Sequence, residues 1–382
     1  MMRVVITGGG TGGHLFPGIA LAQGLRTQLP NSEILFIGTS RLLDQDTLAK
    51  SGFKLATLHC GGVKGLGLAA KLRSLFGLPR AIWQARRMLA EFKPNLVFGV
   101  GGYVTGPVLL AAKSLSIATA IHEQNSVPGL ANRLAGKLVD RIFISIPCDP
   151  PFPPAKTIQT GNPVRESIIL AGERQVKKRR EQGERSKSQF CLLVLGGSQG
   201  AHAVNLLVTD AVRILVNKGV SLRVIHQSGK TDENEVRARY EQANLRAEVS
   251  AFIQDMAAAY DSADFVISRA GATTLAELAI MGLPALLVPY PFAADNHQTK
   301  NGSYYARKGG CVVFEEHTLS AEKMAEYLES LLDNPSYLQE MATGMRTMGE
   351  PQATERLITA CLALAAAQTI VAPPHENRRE HV

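Results

Sequence analysis

Short apolar runs alternate with longer stretches of helical spacing through most of the chain. In the first half the runs cover residues 3–7, 33–37, 95–100, 118–122, 141–146 and 157–160. Successive residues in them are apolar, as in strands buried on both faces of a parallel sheet. The segments between them have helical character, as at 17–28, where Pro17 marks a helix start. The second half repeats this order, with strands predicted at 190–195, 222–227, 248–252, 264–268, 285–289 and 311–314. The two halves also open alike. "RVVITGGGTGGHLFPGIALAQGL" and "CLLVLGGSQGAHAVNLLVTDAVRIL" are each a strand, a glycine-rich turn and a helix. This βαβ order predicts an α/β protein of two Rossmann-like, doubly wound domains facing a cleft. Their expected bounds are 1–171 and 190–350. A charged linker is expected at 172–189, a C-terminal helix at 351–367 and a flexible tail at 368–382.

Composition narrows the partners without choosing one. The 382 residues are 45% hydrophobic and 19% charged, with 41 Lys+Arg against 33 Asp+Glu, a net charge of +8. A basic balance suits an anionic partner: nucleic acid, an acidic membrane or a phosphorylated substrate. The five cysteines have neither metal-ligand nor redox-motif spacing and read as reduced thiols of the cytosol. No apolar run approaches the ~20 residues of a spanning helix. The N-terminus enters a strand at once, which does not fit a signal peptide. Contact with a membrane is therefore expected at its cytoplasmic surface.

The first glycine-rich turn has two readings. Gly8, Gly10 and Gly13 satisfy G-x-G-x-x-G, but the second strand ends Phe36-Ile37-Gly38-Thr39, without the acid that would hold a dinucleotide's ribose. The alternative is a cradle for a diphosphate or a sugar, built from backbone N–H groups of Thr11, Gly12 and Gly13. His14 then stands where a general base is useful, because imidazole titrates near neutrality. The plainer reading of His14 is a residue that caps or packs at a helix start.

Nine stretches occur in an order that resembles one family. They are "GGGTGGHLFPG" (8–18), "GGYVTGPV" (101–108), "HEQNSVPGLANR" (122–133), "GNPVR" (161–165), "GGSQGA" (196–201), "HQSGK" (226–230), "FIQDM" (252–256), "SRAGATTLAEL" (268–278) and "DNHQTKNG" (295–302). Together they resemble the MurG family of N-acetylglucosamine transferases, over roughly residues 3–365. The resemblance implies a GT-B fold and an inverting transfer of N-acetylglucosamine from UDP-N-acetylglucosamine to lipid I, giving lipid II for peptidoglycan. It implies no cofactor, and no metal held through an Asp-x-Asp motif. Carried over by motif, Thr11, Gly12 and Gly13 form the first-domain loop and His14 is the base, a task that Glu123 could share. The donor contacts are Asn125, Arg165, Ser198, Ile253 (reading the uracil edge), Gln298, and the run Ala272, Thr273, Thr274, Leu275, Ala276 and Glu277. Within that run the helix start suits the diphosphate and Glu277 the ribose hydroxyls.

The acceptor's lipid tail requires docking at the cytoplasmic face of the bacterial inner membrane, as a peripheral protein. Residues 64–93 carry Lys64, Lys71, Arg73, Arg80, Arg86, Arg87 and Lys93 against one acid, Glu91. Apolar residues are interleaved, including the only tryptophan, Trp83. Apolar anchors beside cations suit an anionic interface. An amphipathic helix with its apolar side in the core has the same pattern. Three rivals share the fold: a transferase with another acceptor, a nucleotide-sugar epimerase, and a non-catalytic nucleotide-sugar binder. Nucleic acid is not expected as a partner, since the charge lies in a linker and a leucine-rich patch without stacking aromatics.

Overall fold

The six apolar runs of the first half, joined by one strand at 54–57 that sequence does not announce, form a parallel sheet of strands β1 (Arg3–Gly8), β2 (Glu33–Gly38), β3 (Lys54–Thr57), β4 (Leu96–Gly101), β5 (Ala118–Glu123), β6 (Arg141–Ile144) and β7 (Thr157–Gln159). Their order is β3-β2-β1-β4-β5-β6-β7. This is a computed structural model, and it describes residues 1–9, 12–58, 68–182, 189–197 and 200–371. The expected helical stretches become α1 (Gly12–Gln28), α2 (Leu42–Lys50), α3 (Leu68–Phe92), α4 (Thr105–Ser114) and α5 (Leu130–Ala135). Alternate residues of β1 face opposite layers, as the strand period requires. Val4 and Ile6 pack with Leu21 and Leu25 of α1, while Val5 packs with Ala85 and Leu89 of α3. Both layers are buried, which explains runs without polar alternation.

The second half begins with α6 (Glu166–Gln182). Its sheet holds β8 (Phe190–Leu195), β9 (Leu222–Gln227), β10 (Glu248–Ser250), β11 (Phe265–Ser268), β12 (Ala285–Leu287) and β13 (Cys311–Val313), in the order β10-β9-β8-β11-β12-β13, all parallel. Between and after the strands lie α7 (His202–Asn217), α8 (Glu233–Gln242), α9 (Met256–Ser262), α10 (Ala272–Met281), α11 (His297–Ala306), α12 (Ala321–Asp333) and α13 (Pro335–Arg346). Leu192, Val194, Phe265 and Ile267 pack with Val204, Val208 and Val212 of α7 and with Met324 and Leu328 of α12. The last helix, α14 (Ala353–Val371), returns to the first sheet. There Leu357, Ile358 and Cys361 join the layer of Val4 and Ile6. A Cβ on Gly24 would come within 2.7 Å of Ile358, so that glycine sets how closely α1 and α14 approach.

Two units therefore exist, and their bounds differ from the simple division read from sequence. One comprises Met1–Glu123, Pro128–Pro163 and the segment from Gln352; the other comprises Gln124–Val127 and Val164–Pro351. The segment 172–189, expected as a linker, is helical through Gln182. Ile168, Ala171, Gly172 and Gln175 make a buried stripe at helical spacing, and Gly172 lies against the Ile280 carbonyl of α10. The charged continuation is rich in Glu, Gln, Lys and Arg, all good helix formers that need no apolar period. Helix α1 starts at Gly12 rather than Pro17, which sits in its second turn. Pro17 lacks the N–H that would bond to residue 13, so the ladder loses one rung in its second turn. The tail expected from residue 368 is still helical to Val371, and 372–382 lie outside the described residues.

Candidate active site

In each sheet the chain runs outward in both directions from one central pair, β1 and β4 in the first unit and β8 and β11 in the second. The loops leaving such a pair diverge and open a crevice at the strands' carboxyl ends, where α/β sheets bind ligands. The motif glycines lie there.

In the first unit the crevice is lined by the start of α1 and the end of β4. Gly101 and Gly102 have φ of +107° and +91°, backbone that side chains rarely adopt. A Cβ on Gly101 would lie 3.1 Å from Cδ2 and Nε2 of His14, and one on Gly102 would lie 2.7 Å from the Gly9 carbonyl. "GGYVTG" thus lets β4 close against the first loop and against the His14 ring. Thr105, fully buried, donates to the Gly101 carbonyl at 2.9 Å and reaches the Thr7 carbonyl at 3.3 Å, tying β4 to β1. Gly13 is exposed and His14 half-buried, while Gly10 and Thr11 lie outside the described residues.

Glu123, considered above as a second base, is 1% exposed. Its Oε2 accepts from the Gly129 N–H at 3.0 Å and from Asn132 Nδ2 at 2.9 Å. It organises the turn into α5. Neighbouring His122 is fully buried, stacks near Phe98 and has Nε2 3.1 Å from the Gly161 carbonyl. Desolvation lowers its pKa to about 4, against smaller opposing effects of that carbonyl and Glu123, so it is neutral at physiological pH.

In the second unit Arg165 and Glu277 come together: Arg165 Nη2 donates to Glu277 Oε1 at 2.9 Å. The other carboxylate oxygen accepts from the Tyr260 hydroxyl at 2.9 Å. Arg165 and Glu277 lie 112 residues apart, so local spacing gives them as separate ligands, and Tyr260 reads as one more apolar residue of a short helix. Ala272, Thr273 and Thr274 form the first turn of α10, whose leading N–H groups point out of the helix. The Leu275 N–H already bonds to the Gly271 carbonyl, and the Leu275 side chain is wholly buried. Leu275 and Ala276 therefore serve the core side of this helix, whereas Thr273, Thr274 and Glu277 carry its polar groups.

The expected base-reading residue is also engaged. The Ile253 N–H donates to Gln227 Oε1 at 3.0 Å, which fixes the loop before α9 on the end of β9. Gln298 Oε1 accepts from the Tyr290 N–H at 2.9 Å. Asn125 belongs to this unit through Asn301, a residue of "DNHQTKNG" that local sequence does not mark as part of the site. Asn301 is fully buried. Its Oδ1 accepts from the Ser126 N–H at 2.9 Å, and its Nδ2 donates to Asn125 Oδ1 at 3.0 Å and the Ala270 carbonyl at 3.3 Å. Ser198 lies outside the described residues.

Behind the 196–201 loop is a second buried network. Asn205 Nδ2 donates to the Ser228 carbonyl and to Asp232 Oδ2, both at 2.8 Å, so its Oδ1 is an acceptor. His226 Nε2, 3.0 Å from that oxygen, is then the donor, and Nδ1 accepts from Tyr240 at 2.9 Å. Burial lowers the His226 pKa to about 3, so the ring is neutral, and Asn205 selects its Nε2–H tautomer.

The first unit also exposes apolar side chains beside cations. Trp83 on α3 is 63% exposed, with Arg80 and Arg87 exposed near it, while Ala81, Ala85 and Leu89 take the core side. Arg86 is exposed but bonds to the Ser114 carbonyl at 2.9 Å. Residues 64–67, and the side chains of 68–76, lie outside the described residues. A further ridge, unforeseen from sequence, follows α5: Leu130, Leu134 and Leu138 are exposed at spacings of four, with exposed Arg133, Lys137 and Arg141 between and after them. Among the described residues no helix is long and apolar enough to cross a membrane.

Comparison with known proteins identifies the family. Residues 4–144 match the glycosyltransferase family 28 N-terminal domain and residues 191–357 its C-terminal domain. A Desulfotalea psychrophila protein named UDP-N-acetylglucosamine--N-acetylmuramyl-(pentapeptide) pyrophosphoryl-undecaprenol N-acetylglucosamine transferase is 45% identical over 95% of this chain and 96% of its own length. A Geobacter sp. (strain M21) protein of the same name is 41% identical over 94% and 95%. The crystal structure of Acinetobacter baumannii MurG superposes with a TM-score of 0.74 at 30% identity, covering 95% of this chain and all of that one. A UDP-GlcNAc 2-epimerase from Neisseria meningitidis, bound to UDP-GlcNAc, has a TM-score of 0.64 at 16% identity over 95% of this chain and 100% of its own, a likeness of fold alone. Both sheets are parallel and both units α/β, the GT-B architecture, and the chain belongs to the MurG family of glycosyltransferases.

Proposed function

We infer that this enzyme transfers N-acetylglucosamine from UDP-N-acetylglucosamine to the 4-hydroxyl of the muramyl sugar of lipid I, forming lipid II. The observation that carries this reading is the match over 95% of the chain to a transferase of that name at 45% identity. In the step, the acceptor O4 attacks the donor's anomeric carbon from the face opposite UDP. The O4–C1 bond forms as the bond to the diphosphate breaks, the electron pair leaves on UDP, and the configuration inverts. His14 takes the O4 proton, a contribution worth about 100- to 10,000-fold in rate. The donor is held by the second unit: Ile253 at the uracil edge, Glu277 at the ribose, and the start of α10 with Thr273 and Thr274 at the diphosphate. Gln298 and Asn125 face the sugar. Membrane docking places the acceptor within reach. Trp83 and the α5 ridge support a peripheral position at the cytoplasmic face of the inner membrane.

The test is incubation with UDP-N-acetylglucosamine and a short-chain lipid I analogue, following UDP and disaccharide by mass spectrometry. UDP and disaccharide should appear only with acceptor present. His14→Ala should lose about 100-fold or more in kcat with donor affinity retained. No product from a competent acceptor would overturn the assignment, and a changed donor without acceptor would make the protein an epimerase.

A further inference from the structure

Glu277 is 5% exposed, and its carboxylate already has a donor on each oxygen, Arg165 on Oε1 and Tyr260 on Oε2. An ionised carboxylate offers about four lone-pair sites, so two acceptor positions remain, one on each oxygen. Two vicinal hydroxyls match that pair. We propose that Tyr260 is a positioning residue for the donor: with Arg165 it clamps the Glu277 carboxylate in the one rotation that accepts from both ribose hydroxyls. The proposal rests on the reading of Glu277 as the ribose ligand.

Three further observations support it. Tyr260 is 1% exposed, and burial, then the Glu277 charge, push its phenol well above its usual range; it keeps its proton and can only donate to the carboxylate. It lies on α9, whose start is fixed by Asp255 accepting from the Ala258 N–H at 3.0 Å. The loop just before α9 is the one Gln227 pins through Ile253. One short helix thus links the base-reading loop to the ribose-reading carboxylate. Without the phenol, the ring still packs but Oε2 loses its donor, and the carboxylate can turn about its last torsion, which is broad and two-fold.

The experiment is calorimetric binding of UDP, 2′-deoxy-UDP and 3′-deoxy-UDP to the full chain and to Tyr260→Phe and Glu277→Gln. On the unchanged protein both deoxy compounds should bind more weakly by similar factors, about tenfold or more, because each removes one of two hydrogen bonds to a charged group. Tyr260→Phe should reduce that preference severalfold. In turnover it should raise KM for the donor about five- to tenfold and leave kcat within about twofold, the signature of lost uniform binding. If Tyr260→Phe weakens all three ligands equally, or changes none while Glu277→Gln erases the preference, Tyr260 only packs; the proposal fails and the ribose reading stands. If Glu277→Gln keeps the preference, the ribose reading itself fails and the proposal with it. The unchanged protein gives a test independent of any variant's folding: a loss for only one of the two deoxy compounds overturns the two-point clamp.

Discussion

Gly101 has no side chain because the His14 ring occupies the space where one would stand. The Cβ of an alanine there would sit 3.1 Å from the imidazole, on backbone at φ +107°. The strand end cannot easily yield, since Thr105 holds the Gly101 carbonyl at 2.9 Å. The softer response is a turn of the His14 ring. A general base works only within hydrogen-bond reach of its proton, and a displacement of about 1 Å can cost about 100-fold in rate. Gly101→Ala should therefore lower kcat by about 10- to 100-fold while leaving UDP affinity unchanged, because Arg165 and Glu277 lie on the other unit. Single-turnover rates beside UDP titrations would check this. An unaltered rate in a folded Gly101→Ala protein would mean that His14 is not the base or that its ring has room the geometry denies.

Helix α5 has only six residues, yet it begins an exposed ridge with a leucine at every fourth position and cations between. Leu130, Leu134 and Leu138 are 61%, 56% and 44% exposed. The nearby acid, Asp140, is taken by Lys113 at 2.8 Å and by Thr119, so Arg133, Lys137 and Arg141 set the local charge. Leucines and cations on one face favour an anionic bilayer, each lysine or arginine contributing about 1 kcal/mol near such a surface. Replacing the three leucines with serine should cut sedimentation with anionic vesicles severalfold and spare turnover of a soluble acceptor. Equal sedimentation would confine docking to α3 or exclude it. Sequence did not reveal this ridge because the core side of "LANRLAGKL" is carried by Asn132, Ala135 and Gly136, so no apolar stripe announces the exposed one. The central strands were legible because both their faces are buried. The edge strand β3, exposed or half-exposed along its length, left no such run. The site divides in the same way. Glycine-rich turns and the α10 start can be read from local spacing. The Arg165–Glu277–Tyr260 clamp joins residues 112 and 17 positions apart, and only the folded sheet brings them together.

Among the described residues, each unit buries one neutral histidine near the carboxyl ends of its strands, His122 in β5 and His226 in β9. This shared feature makes the whole molecule acid-sensitive in a definite direction. Burial lowers the two pKa values to about 4 and about 3, whereas an unfolded histidine titrates near 6.5. Above pH 6.5 both states are neutral and neither group affects stability. Below it the unfolded chain takes up a proton that the folded one refuses, so stability falls as pH drops from about 6.5 toward the folded pKa values. At pH 5 the loss is about 2 kcal/mol for each histidine, one in each unit. Urea unfolding at pH 7, 6 and 5 should show this slope before carboxylate protonation contributes. His226→Gln keeps one donor and one acceptor for Asn205 and Tyr240 but cannot take up the proton, so it should flatten the acid dependence of the second unit alone. The first unit, still carrying His122, should lose stability as before. An unchanged slope for the second unit would show that His226 takes up no proton on unfolding, so that it is not held neutral between Asn205 and Tyr240.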